Sequence, residues 1–201
     1  MSTTAKNIVV ITIITLVAGL LLGFVYDVTK EPIANQQQLA KQEAYMAVFP
    51  EASSFSENQN INIDELNEFI KTNGFEYDSV TEVLNAEASD GSSLGYVFGL
   101  TSTEGYGGEI DISMGISNDG TVKGVEILSI SETAGLGMKA DTDEFKSQFA
   151  EKNVSRFSYT KTGKSVDYEI DAISGATITT NAMTNVVNSG IACFEKIGGG
   201  Q

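Results

Sequence analysis

Ile8 to Tyr26 (IVVITIITLVAGLLLGFVY) is an unbroken run of 19 residues without a charged side chain, and no other feature limits what this chain can fold into so strongly. As an α-helix it would measure roughly 28 Å, about the thickness of a bilayer's hydrocarbon core. Thr12 and Thr15 can return their hydroxyls to helical carbonyls, and Gly19 with Gly23 forms a small-residue stripe suited to packing against other membrane helices. A cleaved signal peptide is the competing reading. The run is longer than an ordinary signal core, however, and no A-x-A site precedes the charges that begin at Asp27. The expectation is a retained single-pass anchor in the cell membrane. Lys6 and the terminal amine favour a cytoplasmic N-terminus (residues 1–7), which puts everything beyond the anchor on the outer, extracellular or periplasmic, face.

The chain beyond the anchor is acidic: all 27 Asp and Glu lie from Asp27 onward, against every basic residue of the 12 except Lys6. Such a surface repels a phosphate backbone, which disfavours a nucleic-acid partner, and none is expected. The chain has no histidine, no tryptophan and a single cysteine, Cys193. Iron–sulfur clusters, His-ligated haem, the usual catalytic zinc sites and a Ser-His-Asp triad are therefore ruled out, as is any disulfide within the chain. Neither a catalytic residue nor a metal ligand set is legible. Cys193 lies among Ile191, Ala192 and Phe194 and reads as a small buried apolar residue.

Past Tyr26, Val28 to Phe49 has helical periodicity with Pro32 near its start, and Pro50 stops it. Glu51 to Asn62 is polar and linker-like, and Ile63 to Asn73 is a short amphipathic helix closed by Gly74. Strands are expected at Ser79 to Ala88, Leu94 to Thr103, and in a hairpin of Glu109 to Ser117 with Thr121 to Ile130 around Ser117-Asn118-Asp119-Gly120. Asp141 to Lys152 reads as a further helix, and Arg156 to Thr160 and Val166 to Ile170 as short strands. The fold class expected is α+β: an antiparallel sheet packed by helices behind one transmembrane segment. The division is a span at 8–26, a helical connector at 27–74, one domain at 75–197 and a tail at 198–201.

The stretch with most chemical content is Asp171-Ala172-Ile173-Ser174-Gly175-Ala176-Thr177, followed by a helix-periodic run through Ala182, Met183, Val186, Val187, Ile191 and Phe194. A threonine hydroxyl on a small-residue turn at a helix start faces free N–H groups and the positive end of the dipole, which suits a phosphate. Ser174, Thr177 and Thr179 would also serve as plain helix caps. Two other turns, Gly105-Tyr106-Gly107-Gly108 and Gly135-Leu136-Gly137, remove side-chain bulk where backbone must approach something closely. None of the three is a Walker A loop. Ser158-Tyr159-Thr160-Lys161 and Lys161-Thr162-Gly163 match two signatures of penicillin-recognising enzymes, but they share one lysine and so cannot converge from separate elements.

Taken in order, Gly105-Tyr106-Gly107-Gly108-Glu109-Ile110, the turn at Gly115 to Gly120, Ile130-Ser131-Glu132-Thr133-Ala134-Gly135-Leu136-Gly137 and Asp171-x-x-Ser174-Gly175-Ala176-Thr177 resemble the FMN-binding domain family. Within it, length and anchor are most similar to the G subunits of Rnf ion-translocating ferredoxin:NAD oxidoreductases; the C subunits of sodium-pumping NADH:quinone reductases share the motifs but are usually longer. Two departures are Ala134, where the family generally has proline, and the missing histidine often found just before that turn.

The resemblance implies covalent FMN, esterified through its phosphate to Thr177 by a separate flavin transferase that uses FAD, with Thr179 as the second choice. It further implies Ser174, Gly175 and Ala176 around the phosphate, Asp171 shaping the turn or serving the transferase's metal, and Glu132, Thr133, Leu136, Gly137 and Tyr106 along the ring. Lys139 is a candidate attraction for anionic flavin. The function implied is an electron-transfer subunit of a translocase, with little activity alone and with integral membrane and cytoplasmic partner subunits. A flavinylated carrier of another respiratory chain and a non-catalytic anchored binding domain are the alternatives.

Overall fold

The computed structural model describes residues 2–198, so Met1 of the expected N-terminal segment and most of the expected tail lie outside the described residues. The described chain divides into two compact units, one up to Ala40 and one from Lys41 onward.

The first element, α1, is an α-helix from Thr3 to Val48. It carries the apolar run and continues through Pro32, where the sequence suggested a separate helix starting near Val28. Proline removes one i→i−4 bond without ending the helix here. Fourteen large apolar residues between Ile8 and Tyr26 are exposed, Leu22 at 72% and Phe24 at 69%. Leaving such side chains in water forfeits about 1.5–3 kcal/mol apiece. Thr12 and Thr15 donate their hydroxyls to Ile8 O and Ile11 O at 2.9 and 3.1 Å, so the helix exposes no unsatisfied hydroxyl there. It is long and apolar enough to cross a membrane, as a membrane anchor must be.

The second unit is α+β. Its five strands are β1 (Ser54–Glu57), β2 (Asp78–Glu87), β3 (Ser93–Ser102), β4 (Ile110–Ser117) and β5 (Val122–Ile130), in spatial order 1-2-3-4-5 with every pair antiparallel. Helix α2 (Ile63–Thr72) lies between β1 and β2 in sequence, capped by Asn62, whose side chain accepts from Asp64 and Glu65 N–H. After β5 come a 3₁₀ turn (Gly137–Asp141), the four-residue helix α3 (Asp143–Lys146), the strands β6 (Ser158–Thr160) and β7 (Glu169–Asp171), and the terminal helix α4 (Thr177–Lys196).

One face of the sheet supplies Phe98, Leu100, Ile112, Met114 and Ile116, which pack with Met183, Val186, Val187 and Ile191 of α4 in the main core. Met114 and Leu100 sit so close to α4 that a Cβ on Gly190 would lie 2.8 Å from Leu100 Cδ1, which is why a glycine interrupts that helix face. The other face holds Leu84, Ala86 and Val97 against Tyr45, Val48 and Phe49 at the end of α1. Tyr45 Oη donates to Glu82 Oε1 at 2.6 Å and Lys41 pairs with the same oxygen at 3.0 Å.

Three further sequence expectations change. Ser54 to Glu57 is an edge strand rather than linker; its only large apolar residue is Phe55, which packs on Tyr45, and Ser54 and Ser56 reach the Glu87 carboxylate. Asp141 to Lys152 is not one helix, because Gln148 turns away to bind Asp171 and Lys152 bridges to Val122 on the sheet edge, although Phe145 and Phe149 are buried as expected. Strands β6 and β7 are shorter than expected, parallel, and separate from the main sheet.

Candidate functional site

The register across the sheet aligns Asp78, Ser102, Ile110 and Ile130 in one row. From that end leave two loops, 103–109 and 131–136, and the start of α4 meets them there. The three small-residue turns, far apart in sequence, enclose a cleft of ≈ 550 Å³ lined by Tyr106, Glu132, Thr133, Leu136, Gly137, Gly175, Ala176, Thr177, Ile178 and Thr179. This is the size range of small-molecule and cofactor sites.

Each wall is held by identifiable bonds. Tyr106 N–H donates to Glu132 Oε1 at 2.8 Å, which ties the first turn to the second. A Cβ on Gly107 would lie 2.0 Å from Ser131 O, so only glycine lets these loops approach. Leu136 N–H donates to Thr133 O at 3.1 Å across a turn with Gly135 at φ 77°. That is the conformation a type II turn requires at its third residue, and Ala134 sits at the second, the position proline favours.

The third wall is the loop ahead of α4. Thr180 fixes it, with Ile173 N–H donating to Thr180 Oγ1 at 3.0 Å while Thr180 Oγ1 donates to Ala176 O at 2.9 Å. Gly175, at φ 78°, makes the bend. Ala176 occupies the cap position and offers no side-chain bond to the helix start. The first N–H groups of α4 are therefore free for an external acceptor. Asp171 is positioned by Gln148, whose Oε1 accepts Asp171 N–H at 2.7 Å, and its own carboxylate accepts Lys164 N–H at 2.6 Å. Its carboxylate thus holds the turn at Lys164, while its backbone begins the loop to Thr177.

The sequence-selected residues separate clearly. Thr177 is half-buried on the cleft wall, whereas Thr179 is 1% exposed. Glu132 and Gly137 are buried, Thr133 is exposed, and Leu136 and Tyr106 stand exposed at 43% and 72% on the rim. Ser174 and Lys139 open instead onto an adjoining hollow of ≈ 320 Å³ with Gln148 and Asp171. Sequence reasoning missed Ile178, Gln148 and Thr180. Ile178 is 51% exposed at a cleft-lining position of α4, and an apolar residue exposed at a helix's first turn was the available signal. Nothing in the sequence links Gln148 to a backbone 23 residues away.

Two buried groups lie outside the cleft. Asp78, 2% exposed with Oδ1 unpartnered, has its pKa raised to about 7 by burial, with Ser102 opposing and Glu104 adding to the rise. Glu104 in turn accepts from Asn181 and Asn185 of α4, at 3.2 and 2.7 Å. Burial pushes the Cys193 thiol up to about 12, so it stays protonated and unreactive.

The model of the FMN-binding domain family matches residues 105–192, the segment containing all three turns. Over 187 residues the chain is 31% identical to the G subunit of the ion-translocating oxidoreductase complex of Methanosarcina acetivorans, covering 92% of each chain. The chain belongs to this FMN-binding family. It is also 30% identical to the G subunit of the proton-translocating ferredoxin:NAD(+) oxidoreductase complex of Clostridium ljungdahlii, over 95% of this chain and 91% of that one. Among solved structures, the C subunit of the Na(+)-translocating NADH-quinone reductase from Parabacteroides distasonis aligns at 26% identity and a TM-score of 0.48, over 57% of this chain and 60% of that one.

The residues present suit the family's cofactor. FMN needs room for a planar ring and donors for a phosphate; the cleft supplies an apolar rim of Tyr106, Leu136 and Ile178 and an uncapped helix start beside Thr177. Gly137 keeps the floor open, since a Cβ there would lie 2.7 Å from both Glu132 Oε2 and Thr179 Oγ1.

Proposed function

We propose that this chain is a membrane-anchored electron-transfer subunit that carries FMN covalently on Thr177 within an ion-translocating ferredoxin:NAD oxidoreductase complex. The observation that carries the reading is the placement of Thr177: a half-buried threonine lining the cleft, at the uncapped N-terminus of a 20-residue helix. Thr179, the alternative attachment point, is buried. Near-full-length similarity to the G subunits supports the choice of complex.

Attachment is a phosphoryl-type exchange performed by a separate flavin transferase. Thr177 Oγ1 bonds to the FMN-side phosphorus of FAD, the P–O–P bond breaks, AMP leaves with the bridging oxygen, and the hydroxyl proton passes to the transferase. The resulting phosphodiester keeps one negative charge, which the first N–H groups of α4 and its dipole stabilise by about 0.3–1 kcal/mol or more where partly buried. Gly175 and Ala176 leave the approach to Thr177 free of bulk. Once bound, the flavin supplies the electron-transfer chemistry. The chain tethers and orients it, and Tyr106, Leu136 and Ile178 shield it from water. No general acid or base is required, in keeping with a chain that has no histidine.

The anchor holds this domain at the membrane with its N-terminus inside, and integral membrane and cytoplasmic subunits of the same complex are its partners. Coexpression with a flavin transferase should add one FMN less one water to the intact mass, and Thr177→Ala should abolish the gain. A wild-type chain that stays unmodified beside an active transferase overturns the reading. A reporter fused at Gln201 should be active only outside the cytoplasm; cytoplasmic activity refutes the orientation.

A further inference from the structure

Glu132 is buried to 8% exposure within the cleft and its two oxygens have different surroundings. Oε1 accepts Tyr106 N–H at 2.8 Å. Oε2 faces Gly137, 2.7 Å from the point a Cβ on that glycine would occupy. Among the described residues no Lys or Arg amine or guanidinium lies within 4.0 Å of either oxygen. The basic residue nearest in sequence, Lys139, opens onto the adjoining hollow. A carboxylate thus lies in the wall of a half-enclosed cleft with no cation beside it among the described residues, where water would screen its charge poorly.

We infer that Glu132 sets the reduction potential of the flavin in this cleft, holding it low through its uncompensated charge, in addition to latching the Tyr106 turn. The inference rests on the reading of the cleft as the FMN site. Each electron entering the ring adds one negative charge; no bond forms or breaks at Glu132, and any proton that follows comes from solvent. A carboxylate in the wall of the cleft would oppose that added charge. The glycines at 105 and 137 matter to this geometry, because a Cβ at Gly105 would lie 3.2 Å from Oε1 and one at Gly137 would displace Oε2.

Charge and latch separate by substitution. Glu132→Gln keeps an oxygen for Tyr106 N–H and removes the charge, whereas Glu132→Asp keeps the charge on a shorter side chain that reaches Tyr106 less well. Full-length chains coexpressed with the transferase are checked for covalent FMN by intact mass and titrated with dithionite as electron donor, following flavin absorbance. In the chains that carry FMN, Glu132→Gln should shift the one-electron equilibrium toward the reduced form about tenfold, a rise of about 59 mV. Glu132→Asp, loaded to whatever extent, should keep a potential near that of the wild type. A loaded Glu132→Gln at the wild-type potential, or a loaded Glu132→Asp whose potential rises as Gln's was expected to, overturns the inference and leaves the FMN site standing. Wild-type chain that takes up no FMN overturns both.

Discussion

Gln148 holds the backbone of Asp171 from both sides: its Oε1 accepts Asp171 N–H at 2.7 Å and its Nε2 donates to Asp171 O at 3.4 Å. The first residue of the loop that ends at Thr177 is therefore fixed by a side chain from a different element. Gln148→Ala leaves Asp171 N–H without that partner, at a cost of about 1–3 kcal/mol. Covalent FMN loading should become several-fold slower at limiting transferase, while Gln148→Glu, which keeps the acceptor, should load faster than Gln148→Ala. Time-resolved intact mass measures both; equal rates for wild type and Gln148→Ala would show that the grip does not order the loop for modification.

Asp78 gives stability a pH dependence of defined sign. Its folded pKa, about 7, lies above the ordinary 3.8 because burial penalises the charge. The folded state therefore holds a proton that the unfolded state releases, so stability falls as pH rises from about 4 to 7 and levels off above that. The loss is on the order of 4 kcal/mol. Asp78→Asn should unfold at higher urea than the wild type at pH 8 and show a smaller drop between pH 5 and pH 8. An Asn variant less stable than wild type at pH 8 would contradict this.

Ala134 occupies the second position of the turn closed by Leu136 N–H and Thr133 O, ahead of Gly135 at φ 77°. Proline is favoured at that position, and Ala134→Pro should stabilise the domain by about 0.4–1 kcal/mol, chiefly by restricting the unfolded chain. Thermal unfolding followed by circular dichroism checks it; a lower midpoint than wild type would mean that the turn has another geometry.

Gly137→Ala would put a methyl group 2.7 Å from Glu132 Oε2 and Thr179 Oγ1 and 2.8 Å from Glu132 Cβ. The crowding should cost about 1–3 kcal/mol and close part of the cleft. Reduced FMN loading with the domain still folded is the expected result; wild-type loading would show that the cleft floor does not contact the flavin.

Much of this fold was legible because its signals are periodic or punctuated. The uncharged run gave the apolar helix, and β2 to β5 followed from alternation bounded by Gly, Asn and Asp. Helix α4 came from the spacing of Met183, Val186, Val187 and Ile191, all now found in the core. Elements stabilised by distant partners were not legible. Edge strand β1 is polar and held by Glu87 and Tyr45, and α3 stops after four residues because Gln148 and Lys152 are drawn to Asp171 and Val122. At the site, the three small-residue turns could be picked out one by one. Their convergence depends on the register that places Ser102, Ile110 and Ile130 in one row. Burial then separated Thr177 from Thr179, a distinction two positions apart that sequence spacing left open.

The central claim is that FMN is esterified to Thr177. Trypsin acting at Lys164 and Lys196 releases one peptide, Ser165 to Lys196, that contains Thr177, Thr179, Thr180, Thr184 and Ser174 together, so fragmentation of that peptide by mass spectrometry locates the flavin. The account predicts that backbone fragments gain the FMN mass at Thr177 and nowhere else. Flavin on Thr179 or Ser174, or an unmodified peptide from chain coexpressed with active transferase, would contradict it.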